Sequence, residues 1–124
     1  MRFDEFEKII ITDIFEQYPE YQSILQVQFE NIVVQKREFS VHGFSTFYEV
    51  NSEEKTLGID KNLQLGKYQW NISGLQYGSD YILWIENGLI KCFEGFSYNE
   101  PWPSEILWCK KIESEQKDSK MNDD

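Results

Sequence analysis

The chain predicts an α+β fold: two amino-terminal helices packed on an antiparallel sheet of five or six strands in meander-like order. Three observations carry that prediction. Apolar residues recur at three- and four-residue intervals through the first thirty positions and at every second position thereafter, so the period changes from that of a helix face to that of a strand. Asn87-Gly88 stands between two strand-like runs and marks a tight hairpin. The breaks at 40–43, 74–78 and 87–88 are short enough to join antiparallel neighbours, whereas parallel pairing needs crossovers of about a dozen residues or more. The 124 residues suffice for one core. They divide into a single domain at 1–112 and an acidic, disordered tail at 113–124.

Phe3, Phe6, Ile10, Ile14 and Tyr18 line one face of the first helix. Asp4 and Glu7 have capping-box spacing and put carboxylates near the positive end of the helix dipole. Pro19 lacks the N–H needed to continue that helix but suits the first turn of a second. Tyr21, Ile24, Leu25 and Phe29 form the second stripe. Strand-like runs follow at 32–39 and 44–50, closed by a turn from Ser40 to Gly43. Residues 51–65 are polar and read as a loop holding a short strand at Thr56–Ile59.

Tyr68, Trp70 and Ile72 alternate with polar residues, and Gly74 and Gly78 bracket a turn before Ser79–Glu86. Asn87-Gly88 then suits a type I′ turn, because both residues tolerate the positive φ it requires. A two-residue loop sets Glu86 opposite Leu89, Ile85 opposite Ile90, Trp84 opposite Lys91 and Leu83 opposite Cys92, with Glu94 facing Tyr81. On that register Leu83, Ile85, Ile90 and Cys92 form the core face, and Ile82, Trp84 and Phe93 form the other. Ser97 to Pro103 is an aromatic loop stiffened by two prolines. Ile106–Ile112 reads as a strand or a short helix.

Composition excludes several classes of function. Twenty-two carboxylates against 12 Lys and Arg give a net charge of −10, which argues against a nucleic-acid binder that needs a basic face. The 16% aromatic content excludes a wholly disordered chain. The isoleucines at 9–11 are too short a run for a signal peptide, and no stretch reaches the roughly 20 apolar residues that span a bilayer. A cytoplasmic location is therefore expected, with Cys92 and Cys109 as reduced thiols and Asn71-Ile72-Ser73 a chance match to a glycosylation triplet.

Catalytic patterns are sparse. His42 is the only histidine and sits in a turn; there is no Cys-x-x-Cys pair, no Gly-x-Ser-x-Gly elbow and no phosphate-binding glycine loop. No catalytic residue, metal or cofactor is expected. Most carboxylates read as solvated. The candidates for contact with a partner are Asp4, Glu5, Glu7 and Asp13 on the first helix, and the segment carrying Glu94, Tyr98, Glu100 and Trp102, where aromatic anchors stand among acids.

Arg37-Glu38-Phe39, Gly43-Phe44-Ser45-Thr46-Phe47, Gly74-Leu75 with Gly78, Asn87-Gly88-Leu89, and Glu94-Gly95-Phe96-Ser97-Tyr98 with Trp102-Pro103 form a series of turns and aromatics over residues 20–103. The series resembles a family of small bacterial proteins of the toxin–immunity type, including those of contact-dependent growth inhibition systems. The chain departs from the pattern at Phe93, where leucine is expected, and residues 51–65 match nothing in it. The resemblance implies an immunity protein that binds a cognate toxin, a basic nuclease by charge, as a stoichiometric inhibitor without catalysis. The alternatives are a small-ligand or enzyme cleft near Glu94, Tyr98 and Trp102, and a non-catalytic adaptor.

Overall fold

The computed structural model describes residues 1–51 and 53–113. Two helices, α1 (Phe3–Gln17) and α2 (Pro19–Glu30), precede seven strands: β1 (Val33–Ser40), β2 (Gly43–Glu49), β3 (Leu63–Leu65), β4 (Trp70–Ile72), β5 (Ser79–Glu86), β6 (Leu89–Ser97) and β7 (Cys109–Lys111). All pairings are antiparallel, in the order β1-β2-β6-β5-β4-β7, with β3 also on β5. The fold is α+β, as the change of period implies. The sheet has one strand more than expected, and its order departs from a plain meander because β6 lies between β2 and β5. The short β3 and β4 share the far side of β5, where Leu63–Leu65 pairs with Leu83–Ile85 and Trp70 pairs with Ser79. The strand expected at 56–59 lies instead at 63–65, and 106–112 resolves as a strand at its end. Apart from Glu113, the tail lies outside the described residues.

Pro19 opens α2 as its first residue. The start of α1 differs from the expectation. Arg2 is its N-cap, and the Arg2 N–H donates to Glu5 Oε1 at 3.4 Å. Glu7 is drawn inward instead, because the helical period places it beside Phe6, Ile10 and Ile14 on the sheet side.

Both helices cover one face of the sheet. Phe6, Ile10, Ile11, Ile14, Phe15 and Leu25 pack on Phe44, Tyr48, Tyr81, Leu83, Ile85, Ile90 and Phe93, all buried. Gly95 is part of that packing. A Cβ there would stand 2.4 Å from the Phe44 ring and 2.7 Å from the Tyr81 ring. Its absence lets Phe44, Tyr81 and Phe93 close on one another, with Tyr81 and Phe93 stacked at 5.7 Å.

Gln28 fastens α2 to the hairpin tip. It is fully buried; its Nε2 donates to Gly88 O at 3.0 Å and Lys55 O at 2.9 Å, and its Oε1 accepts from the Ile90 N–H at 2.9 Å. One amide side chain thus serves three backbone groups at once, beside the Leu57 N–H that also donates to Gly88 O at 3.1 Å.

Asn87 (φ 53°) and Gly88 (φ 78°) form the expected turn, and Glu86 pairs with Leu89 and Ile85 with Ile90. Beyond that point the register differs from the expected one. Lys91 bulges out, Cys92 pairs with Trp84, Phe93 with Leu83 and Glu94 with Ile82. The extra residue reverses the alternation. Phe93 joins the core at 0% exposure, while Cys92 moves to the opposite face beside Trp84. A second irregularity leaves Gln35 of β1 without a partner.

Candidate partner-binding surface

Residues paired directly across antiparallel strands project to the same side, so the register maps the sheet face turned away from the helices. One row runs Glu38–Ser45–Glu94–Ile82. On one side of it lies Lys36–Phe47–Cys92–Trp84, and on the other Ser40–Gly43–Phe96–Asp80. Phe47, Ile82, Trp84 and Phe96 are half-buried. Sequence alternation alone placed Cys92 inside and Phe93 outside; the bulge makes this face more aromatic and acidic than that alternation implied.

Glu94 stands at the middle of the grid. Trp84 Nε1 donates to its Oε1, and Ser45 Oγ donates to its Oε2 at 3.1 Å. Both donors are neutral, and no described cation forms an ion pair with Glu94. Burial, then the charges of Glu94 and Glu38, push the neighbouring Cys92 thiol up to about 12. Lys36 Nζ lies 4.9 Å from the Phe47 ring centre and 3.6 Å from Glu38 on its own strand. At the far end Tyr98 meets Phe96 edge-on at 6.1 Å, donates to Asp80 Oδ2 at 3.1 Å and accepts from Gln69 Nε2 at 3.0 Å. Burial and the charge of Asp80 raise the Tyr98 hydroxyl to about 12.

The other candidates have separate settings. Trp102 lies on the helix side of the sheet, with its ring centre 5.2 Å from that of Phe44 and 6.4 Å from those of Phe6 and Tyr81. It lines a different cavity from Glu94, so Glu94, Tyr98 and Trp102 do not form a common cleft. Glu100 accepts from the Gln76 N–H at 2.8 and 3.0 Å and from the Tyr77 N–H at 2.8 Å, which closes the 74–78 turn. Asp13 is half-buried, 2.8 Å from Lys111 Nζ.

Glu7 cannot belong to an outer acidic face, because it is 3% exposed and bonded to Arg37 and Thr46. Asp4 and Glu5 remain at the surface; the Arg2 guanidinium holds the Asp4 carboxyl below its ordinary value. Thus Glu94 and Tyr98 share the sheet face opposite the helices, Asp4 and Glu5 stand elsewhere, and Glu100 and Trp102 serve the loop and the core.

His42 is exposed at the tip of the β1–β2 turn, and both cysteines are free thiols. Among the described residues no cluster of three or more His, Cys, Asp or Glu could hold a metal ion, and no helix is long and apolar enough to cross a membrane. No protein-family model, curated protein or solved structure matches this chain.

Proposed function

We propose that the protein is an immunity protein that neutralises a basic bacterial toxin, of nuclease type, by direct stoichiometric binding. The observation that supports this reading best is the sheet face opposite the helices. It offers half-buried Phe47, Trp84, Phe96 and Tyr98 around a carboxylate that no described cation pairs with, on a chain of net charge −10. Aromatic anchors ringed by polar groups are the form binding hot spots take, and an acidic surface accelerates encounter with a cationic cleft while competing with its polyanionic substrate. The resemblance of the series of turns to that of toxin–immunity proteins supports the same reading. In this role the protein works in the cytoplasm and needs no catalytic group or cofactor.

The test is to express the toxin domain encoded beside this chain's gene and measure complex formation and protection of cells. A one-to-one complex whose association slows with added salt is expected, since the Debye length falls from about 10 Å at 0.1 M to about 3 Å at 1 M. An adjacent gene that encodes no toxin, or a purified chain that turns over a substrate by itself, overturns the reading.

A further inference from the structure

Beside Glu94 the sheet face opposite the helices is notched. A cavity of about 320 Å³ opens between β1, β2 and β6, with Ser40, Gly43 and Ser45 along its floor and Glu38, Glu94 and Phe96 as walls. The floor is low because β2 carries a glycine and a serine where its neighbours carry glutamates and an aromatic. Gly43 is fixed there by the backbone, since a Cβ would fall 2.1 Å from Gly95 O. The volume lies at the small end of the roughly 300–1,000 Å³ typical of ligand pockets and suits one inserted side chain.

We infer that this notch receives an arginine side chain of the bound partner, its guanidinium bridging Glu38 and Glu94 over Ser45 with Phe96 alongside. Glu38 and Glu94 each pair directly with Ser45, so the two glutamates stand on the same side of the sheet with β2 between them. Each Glu94 oxygen accepts one hydrogen bond from a neutral donor, while a carboxylate has room for about four in total. The indole and hydroxyl orient the carboxylate without neutralising it. Among the described residues Glu38 is held only by Lys36 at 3.6 Å, an exposed pair that is weak and easily exchanged.

A guanidinium fits better than an ammonium. Its planar fork carries five donors, enough for two carboxylates at once, it is weakly hydrated, and it stacks on aromatic rings. A lysine offers a compact, strongly hydrated charge that reaches one acid well. The inference rests on the proposed function only for the owner of the arginine; the chemistry of the notch stands by itself.

The experiment titrates isotope-labelled protein with N-acetyl-arginine amide and, separately, N-acetyl-lysine amide, following the Trp84 indole N–H by NMR. Saturable movement of that resonance is expected, with the arginine compound bound several-fold more tightly. Loss of one charge-assisted contact in Glu94→Gln or Glu38→Gln should weaken binding about tenfold. Glu38 is exposed, so its variant remains informative even if Glu94→Gln perturbs folding. Absence of saturation, equal affinity for the two compounds, or unchanged affinity in Glu38→Gln overturns the proposal. A toxin complex insensitive to both substitutions would reject the notch and leave the immunity reading standing. Arginine binding with no toxin partner would do the reverse.

Discussion

Glu7 of α1 and Arg37 of β1 form an ion pair, Oε1 to Nη2 at 2.5 Å, in which the carboxylate is 3% exposed and the guanidinium side chain 29%. Thr46 Oγ1 donates to the same carboxylate, and the Phe3 ring centre lies 5.3 Å from the guanidinium carbon. The glutamate raises the Arg37 pKa further above its ordinary value. This pair ties the first helix to the outer hairpin, and it shapes the first prediction.

Glu7→Ala should lower stability by about 2–4 kcal/mol, toward the lower end because Arg37 keeps partial access to water. The Glu7→Met/Arg37→Met double variant should cost less than the two single changes added together. Denaturant unfolding of the wild type, Glu7→Ala, the two single methionine variants and the double variant provides the measurement; strict additivity in the methionine series would show that the two groups act independently.

Gln28→Ala should cost about 1–3 kcal/mol, because the buried Ile90 N–H loses an acceptor while Gly88 O and Lys55 O each lose a donor. Hydrogen exchange should quicken at the Ile90 amide. An unchanged exchange rate there would mean that water replaces the side chain.

Gly95→Ala should destabilise by about 1–3 kcal/mol through overpacking against Phe44 and Tyr81, with loss of near-ultraviolet aromatic dichroism. Pairing with Phe44→Leu should recover part of that loss, since the nearest contact at 2.4 Å is the Phe44 ring.

Alkali should weaken the fold. Cys92 is raised from 9.0 and Tyr98 from 10.0, each to about 12, so the native chain holds protons that the unfolded chain releases. Their contribution is complete below about pH 9 and is lost as pH climbs through about 12. Burial moves Tyr48 and Tyr81 in the same direction. Denaturation midpoints measured from neutral pH upward should fall through that window. At pH 8 a thiol reagent should modify native Cys92 slowly, because the thiolate is the reactive form.

The helices were legible in the sequence because their stripes span whole turns and Pro19 separates them. The 79–97 hairpin was legible because Asn87-Gly88 specifies its own geometry. The faces of β6 were not. A bulge at Lys91 carries no local residue signal, so alternation counted from Ile90 assigned Cys92 and Phe93 to each other's sides. Glu7 was hidden for another reason: its spacing from Asp4 imitates a capping box that the helix forms instead at Arg2 and Glu5, and the partners that draw it inward come from 30 and 39 residues away. The notch needed three strands in register before its carboxylates became neighbours, and no motif spans that separation. The part played by Glu100 in closing the turn at 74–78 likewise joins segments more than twenty residues apart.

The Lys91 bulge also divides β6 into positions with opposite tolerance for a lost codon. Lys91 is the residue without an opposite number, so its deletion would leave Ile90 facing Ile85 and Cys92 facing Trp84, with every later side chain on its present side. Deleting Glu94 or Gly95 would swing the rest of the strand through half a turn, driving Phe96 toward the helices and turning Ser97 outward. Length variation among descendants of this gene should therefore gather at the lysine and be purged from the residues just after it.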